Sequence, residues 1–342
     1  MERDLRQPCV FSWEILLPKG DFTHTCISSR LQVSREVALA AGSPSLAVDV
    51  ASGCAAAVRA FADRLEGCGG QRALGAACAA ESAHASLSAL VAGLPAGVDA
   101  RELSAAAAAL LDASTRLVTP HFRAAGERID AAAALLHSHH GDLVPGAPSA
   151  AAVQLVNALR VAGAGIPHPA HNLPPTGVNP VPPTRRAACA LASRALLAYA
   201  RHAVLLRPFD ETTALRCATD LAELEQAAAM CAPPVEAIHG YALVRALRPL
   251  FFIEPSCVVS SPLRADLPAA YVLLHLLRLA PPALQSPHTR AGLQPAAYAA
   301  WLERASDVEV WRGIAAALDA APSVTGPEVD ALREMGANMR ST

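Results

Sequence analysis

The sequence is poor in aromatic side chains, in lysine and in charge. Aromatic residues make up 4% of the 342 residues, charged residues make up 17%, and Lys19 is the only lysine. The net charge of −2 leaves no excess of basic residues for binding phosphates, which argues against a nucleic-acid-binding protein. The hydrophobic fraction is nevertheless 53%, so alanine supplies much of the apolar content. Because alanine favours helices and lets them pack closely, the composition predicts a mainly helical protein.

The cysteines have neither the number nor the spacing of a structural framework. Their odd count of nine and the absence of any C-x-x-C pair argue against a disulfide network and against a zinc site. Such a pattern is typical of small, reduced, buried side chains in an intracellular protein. The nine are Cys9, Cys26, Cys54, Cys68, Cys78, Cys189, Cys217, Cys231 and Cys257.

No segment of the sequence resembles a secretion signal or a membrane span. The first eight residues, MERDLRQP, lack the basic and then apolar pattern of a signal peptide. The most apolar stretch, residues 187–206, contains Arg194, Arg201 and His202, whose polar groups a bilayer would leave unpaired. We therefore expect a soluble intracellular protein that is not itself embedded in a membrane.

The hydrophobic spacing predicts a mainly α fold with small β elements: an N-terminal β-hairpin at residues 9–33 and short strands at 46–51 and 250–261. We predict one compact domain over residues 1–342, in which the Pro/Gly-rich segment 163–183 is a loop; alternatively, this segment is an interdomain linker. Helices are predicted at 54–66, 71–92, 102–117, 119–136, 150–161, 184–206, 210–231, 233–247, 266–279, 294–304 and 306–320, with a last helix ending near Gly336.

The sequence contains no motif that identifies a catalytic, cofactor-binding or metal-binding site. His137, His139 and His140, with Asp142 beside them, could bind a metal ion. The cluster precedes a glycine at a predicted helix end, where polar side chains commonly cap carbonyls, and we favour that structural role. No phosphate-binding loop or nucleophile elbow is present. We therefore predict no catalytic residues, no cofactor and no metal.

Two further groups of residues have ordinary structural explanations. Asp220, Glu223 and Glu225 share one predicted helix, and their spacing favours a solvated surface. Trp301 and Trp311 are predicted to anchor adjoining helices to the core, although tryptophan is also common in protein interfaces.

A short segment between two long predicted helices stands out from the alanine-rich background. It consists of Arg207, Pro208, Phe209, Asp210 and Glu211. The proline can end one helix, the phenylalanine can fill the corner, and the aspartate can cap the next helix near its positive end. The pattern therefore predicts a well-formed turn between helices.

The same segment resembles a turn of the herpesvirus tegument family called cytoplasmic envelopment protein 1. In that family a basic residue followed by Pro-Phe-Asp and an acidic residue precedes a further helix and a Pro-Pro-Val restart. Residues 207–211 and 233–235 match these two anchors in order, and residues 48–54 and 68–71 resemble two upstream elements. Together the anchors span a little over half of the chain, whereas both termini match nothing in the family.

The resemblance implies a non-enzymatic tegument protein that promotes cytoplasmic envelopment and egress of virions. It implies a palmitoylated tegument partner, bound by a helix in a groove, and residence in the virion tegument, the host cytoplasm and Golgi-derived membranes. Membrane contact would be indirect, through that partner. The alternative is a helical enzyme or a ligand-binding protein from a GC-rich bacterium, since the Ala, Pro, Gly and Arg bias indicates a GC-rich genome.

Overall fold

The computed structural model describes residues 44–70, 72–92, 94, 99–138, 147–164, 166, 181–232 and 234–340. Every regular element within these residues is helical, which confirms the mainly α class, and this part of the chain contains no strand. The predicted hairpin at 9–33 lies outside the described residues. None of the described helices is both long enough and apolar enough to cross a membrane.

The described residues contain thirteen α-helices and three short 3-10 helices. Short 3-10 helices lie at Leu135–His137, Val235–Ala237 and Pro262–Asp266. The α-helices are α1 (Pro44–Glu66), α2 (Arg72–Ala92), α3 (Arg101–Ala134), α4 (Ala150–Gly163), α5 (Pro183–Ala203), α6 (Glu211–Cys231), α7 (Tyr241–Leu250), α8 (Pro255–Val258), α9 (Ala269–Leu279), α10 (Pro287–Arg290), α11 (Pro295–Leu302), α12 (Asp307–Ala320) and α13 (Pro327–Arg340).

The described residues form two compact units. The first comprises residues within Met1–Arg123 and Gly165–Ala187, and the second comprises residues within Ala124–Ala164 and Ala188–Thr342. Leu65, Leu103 and Leu110 are fully buried in the first unit. The fully buried side chains of the second unit are larger in number and include Tyr199, Leu196, Leu221, Leu224 and Leu247. Most of segment 163–183 lies outside the described residues, so its role as a loop or linker stays a prediction.

Small side chains allow the helices of the second unit to pack closely. The most extensive helix pair joins α4 and α6. At one end of this pair, a methyl group added to Gly163 would lie 3.3 Å from the Cys231 sulfur. Ala227 and Ala228 are likewise buried on α6. The alanine-rich composition thus contributes close contact between helix backbones, as the sequence predicted.

Two predicted strands are wrong, because their residues lie in helices and turns. Residues 46–51 belong to α1, where Ala51, Cys54 and Val58 are buried at helical spacing. Residues 250–261 contain the end of α7, a turn and α8, which begins at Pro255. Proline cannot donate to a strand ladder but fits the first turn of a helix, which explains the second error.

The predicted helix break at Thr119 and Pro120 is also wrong, because α3 continues through both residues. Pro120 is exposed, and the Thr119 hydroxyl donates a hydrogen bond of 2.6 Å to the Thr115 carbonyl in the preceding turn. An interior proline costs about 3 kcal/mol. Leu117 and Phe122 are buried on either side, and burial of such side chains contributes about 1.5–3 kcal/mol each. The free energy gained by burying these two side chains therefore offsets the cost of the interior proline.

Two further predicted helix boundaries are wrong, and each of them lies near a glycine. The helix predicted from Pro233 instead begins at Tyr241, after Gly240, which has a φ of 90°. The last helix does not end at Gly336 but runs to Arg340. A methyl group on Gly336 would lie 1.9 Å from the indole carbon Cζ2 of Trp311, so this glycine provides space for a neighbouring ring.

One acidic residue joins α2 to those parts of α3 and α5 that belong to the first unit. Glu81 of α2 accepts hydrogen bonds from the backbone nitrogen of Thr184 at 2.8 Å and from its hydroxyl at 2.5 Å. The Ser114 hydroxyl of α3 donates to the same carboxylate at 2.8 Å. Thr184 lies in the first turn of α5, where a negative charge is stabilising. Glu81 therefore caps a helix that is distant in sequence.

Replacing Glu81 by glutamine is expected to lower the free energy of unfolding by about 1.5–3 kcal/mol, because hydrogen bonds to a charged group are lost. The glutamine side chain has one oxygen in place of two, so its NH2 group would face at least one of the three donors that now bind the carboxylate. Urea denaturation would measure the loss, with Glu334→Gln on an exposed position of α13 as the control. A double change with Thr184→Val should cost less than the sum of the single changes. Strict additivity would contradict the proposed cap.

Candidate functional site

The segment of residues 207–211 forms the corner between α5 and α6. Asp210 is the N-cap of α6, as predicted, and its Oδ1 accepts hydrogen bonds from the Thr213 backbone nitrogen at 2.8 Å and the Thr213 hydroxyl at 2.6 Å. These bonds lower the pKa of Asp210. The Arg207–Pro208 peptide bond is cis. Glu211 is exposed in the first turn of α6, near the positive end of the helix dipole.

Phe209 fills the corner and covers a buried cation. The guanidinium carbon of Arg278 on α9 lies 3.3 Å from the centroid of the Phe209 ring and 4.6 Å from that of Phe251. Phe209 also meets Phe251 and His275 edge to face. The guanidinium is shielded from water, and the negative faces of the two aromatic rings stabilise its positive charge. The predicted wedge is therefore present, and it packs on an arginine.

Arg278 is 3% exposed, and its described polar partners are uncharged. Its Nη1 donates to the Ala203 carbonyl at 2.6 Å, and its Nε donates to Nδ1 of His275 at 3.0 Å. Burial lowers the pKa of Arg278 to about 9, and burial together with the Arg278 charge holds the pKa of His275 well below its ordinary value. His275 therefore stays neutral and accepts from the arginine.

Arg207 binds the end of α9 from the other side of the corner. Its guanidinium donates to the carbonyls of Leu284 at 2.7 Å, Ala280 at 2.8 Å and Pro281 at 3.2 Å. A cation at the carboxyl end of a helix satisfies carbonyls that lack partners within the helix. The corner thus joins α5, α6 and α9 through Arg207 and Arg278. The geometry of the corner supports a structural role, which agrees with the turn predicted from the sequence.

Asp220 is fully buried, which corrects the prediction that it lies on a solvated surface. It accepts hydrogen bonds from the Ser149 backbone nitrogen and the Tyr199 hydroxyl, both at 2.7 Å. Burial raises the pKa of Asp220, while these two bonds act in the opposite direction. Glu223 and Glu225 are half-buried, and Glu225 contacts Arg248 at 3.5 Å.

Burial opposes the thiolate form of three cysteines that the structure describes, Cys78, Cys217 and Cys231. No disulfide joins the cysteines that the structure describes, and Cys217 and Cys231 are buried whereas Cys257 is exposed. Burial raises the pKa of Cys231 to about 11 and that of Cys78 to about 12, and it also raises the pKa of Cys217. Raised thiol pKa values oppose the thiolate form that nucleophilic catalysis requires.

The predicted metal-binding alternative involves residues that are only partly described. His139, His140 and Asp142 lie outside the described residues, and His137 contacts His202. Among the described residues, no three His, Cys, Asp or Glu side chains are grouped so that they could hold a metal ion. The absence of a metal or cofactor therefore stays a prediction.

Trp301 and Trp311 are both half-buried in the second unit. Trp301 lies with its ring centroid 4.8 Å from that of the buried Tyr298, and Trp311 packs against Gly336. The Trp311 contact joins α12 to α13, as the predicted anchoring requires, whereas the Trp301 contact lies within α11.

The outer side of α6 offers a surface that sequence reasoning did not single out. After Glu211, the exposed residues of α6 are all uncharged; they are Thr212, Leu215, Ala222, Gln226 and Met230, called here the α6 face. Leu215 is 53% exposed and Met230 is 59% exposed. Exposed positions in the second half of α3, by contrast, include Glu127, Arg128 and Asp130. Leu215 and Met230 are large apolar side chains near the two ends of this face, and the half-buried Glu223 lies between them. Exposed apolar side chains of this size favour protein contact over solvation.

Comparisons with known proteins identify similar chains. Subunit 5 of the conserved oligomeric Golgi complex from Arabidopsis thaliana is 34% identical over 247 residues, which are 69% of this chain and 29% of that protein. The same subunit from Mus musculus is 34% identical over 116 residues, which are 33% of this chain and 14% of that protein. No family model and no solved structure matches. The chain therefore spans less than a third of the length of these relatives.

These relatives show that the resemblance to the herpesvirus envelopment protein is wrong. The tegument role, virion assembly and egress, the palmitoylated partner in a groove and the virion location are wrong with it. The alternative of a bacterial enzyme or ligand-binding protein is not supported either. The physical reason is that the anchors serve general structural needs: residues 207–211 form a capped corner, and 48–54 lie within α1.

Both relatives are named as a subunit of a complex, and neither name states an enzymatic activity. What this chain resembles is thus a segment of a Golgi complex subunit from eukaryotes.

Proposed function

We propose that this chain is a non-enzymatic subunit, or a segment of a subunit, of an oligomeric complex that tethers vesicles at the Golgi. The observation that carries the proposal is the 34% identity with the plant subunit 5 over 69% of this chain. The mouse protein of the same name supports it over a shorter segment. The described residues are helical and contain no grouped metal ligands, which suits a protein that acts by contact.

The α6 face is the surface of this chain best suited to contact another subunit. It lies on a helix fixed at its start by the Asp210 cap and along its length by α4, so its residues are held in a defined geometry. The exposed residues of the α6 face carry no charge, and Glu223 beside them is half-buried. We therefore expect a partner surface made mainly of small and aliphatic side chains. We propose that this partner is another subunit of the same complex.

Affinity purification from Arabidopsis cells tests the proposal. The tagged chain should co-purify with the other subunits of the plant complex and should colocalise with a Golgi marker. The double change Leu215→Arg and Met230→Arg should reduce co-purification roughly tenfold or more, because two charges would be buried without partners. Both side chains are exposed, so the helical circular dichroism should not change.

Matched controls separate the α6 face from a general effect of added charge. Val48 on α1 and Val308 on α12 are 48% and 53% exposed, and their replacement by arginine should leave co-purification unchanged. Absence of every other subunit of the complex from the purified wild-type material would refute the proposed function. Equal binding by the α6 double variant and the wild type would refute only the surface assignment.

A further inference from the structure

Two histidine rings meet where the 3-10 helix Leu135–His137 contacts α5. Nε2 of His137 lies 2.9 Å from Nδ1 of His202, and the ring centroids are 5.0 Å apart. His202 is 7% exposed and His137 is half-buried. The contact holds the turn that follows α3 against the last turn of α5.

The geometry of this pair makes its stability depend on protons. At 2.9 Å, one ring nitrogen must donate its hydrogen and the other must accept with a lone pair. One added proton preserves this arrangement, because a charged ring can donate to a neutral one. A second proton removes the only acceptor and places two N–H groups and two positive charges face to face.

The surrounding charges oppose the second proton. Burial holds the pKa of His202 at about 3, and His137 and the neighbouring Arg201 act in the same direction, whereas Asp130 of α3 acts against them. The Asp130 carboxylate is bound by Arg194 of α5, with an Nε–Oδ1 distance of 3.0 Å. An Arg201 guanidinium nitrogen lies 3.6 Å from a carboxylate oxygen of Glu303. The two carboxylates named here, Asp130 and Glu303, therefore each contact an arginine in the part of the chain that the structure describes.

We propose that His137 and His202 form an acid-sensitive latch, which fastens the Leu135–His137 turn to α5 at neutral pH and releases it when both rings are protonated. Release would expose Leu136, which is 3% exposed in the closed state. The latch is independent of the proposed function, since it rests on contacts within the second unit alone.

The sign and size of the effect follow from proton linkage. In the released state His202 would return towards its ordinary pKa of 6.5, whereas in the closed state it titrates near 3. Between these values the open form binds one more proton than the closed form. The ratio of open to closed molecules should therefore rise about tenfold for each unit by which the pH falls below 6.5.

Amide hydrogen exchange of the full chain, followed by mass spectrometry of peptides that cover Leu135–His137, measures this ratio after correction for the intrinsic exchange rate. In the wild type the opening ratio should increase about tenfold per pH unit between pH 6 and pH 4.5. The variant His202→Gln removes the buried titrating ring and should lose this dependence. The control is His84→Gln, since His84 binds the Ala107 carbonyl in the first unit and should leave the dependence intact.

A pH-independent opening ratio in the wild type, or an unchanged dependence in His202→Gln, would overturn the latch. If His202→Gln does not fold, ring-carbon NMR titration of the wild type decides instead. The ring of His202 should remain neutral at pH 5.5 in the closed protein. A charged ring at that pH would equally overturn the proposal.

Discussion

Replacing Gly336 by alanine should lower the free energy of unfolding by about 1–3 kcal/mol, the usual range for inserting atoms into a packed site. The added methyl group would lie 1.9 Å from Cζ2 and 2.0 Å from Cη2 of the Trp311 indole. Neither α13 nor the flat ring can yield without losing the contact between α12 and α13. Urea denaturation followed by tryptophan fluorescence would report both the loss and the displaced indole.

A second glycine provides a control with the opposite sign. Gly75 also lies within a helix, α2, but it is exposed and has nothing within 4 Å of an added methyl group. Because alanine is the better helix former, Gly75→Ala should stabilise the protein by about 0.5–1 kcal/mol. A stabilising effect of Gly336→Ala would show that Trp311 does not occupy the space beside Gly336.

Replacing Arg278 by lysine should lower the free energy of unfolding by about 3–5 kcal/mol, as expected for a buried charge without compensation. A lysine ammonium can neither stack on Phe209 and Phe251 nor donate in a planar fork to Ala203 and His275. It would have to remain charged in an apolar site or release its proton. The measurement is the free energy of unfolding from urea titration at pH 7.

The matched variant Arg278→Met should be far milder, with a loss of about 1–2 kcal/mol. Methionine has a similar length and contacts aromatic rings favourably, and it removes the buried charge altogether. The Ala203 carbonyl keeps one partner, since the Leu206 backbone nitrogen also donates to it at 3.3 Å. A methionine variant less stable than the lysine variant would contradict the account of Arg278 as a costly, compensated cation.

The parts of the fold that the sequence predicted correctly depend on local chemistry. Asp210 caps α6, and Ser306 with Glu309 forms the capping box that opens α12, because each cap joins residues three positions apart. Helical spacing of apolar residues likewise predicted α4 and α6 closely. These features need no information about distant segments.

The errors arise where distant residues decide the outcome. The spacing of Asp220 indicates a surface position, yet Ser149 and Tyr199 supply donors that allow the carboxylate to be buried. Gly336 resembles a helix end, whereas its role depends on Trp311 in another helix. The α6 face was missed for the same reason, since α4 determines which side of α6 remains exposed. Short motifs such as residues 207–211 indicate a turn but carry too little information to identify a family.

The different exposure of the cysteines gives the unmodified chain two kinds of reporter group. Cys257 is exposed and can react with a thiol reagent directly, whereas Cys217 is buried in α6, close enough to Arg278 for that charge to influence its pKa. Alkylation of Cys217 therefore requires the packing around it to open, and its rate under native conditions measures how often that happens. Peptide mapping of alkylated protein would thus compare the kinetic stability of this part of the core among the variants above without any introduced label.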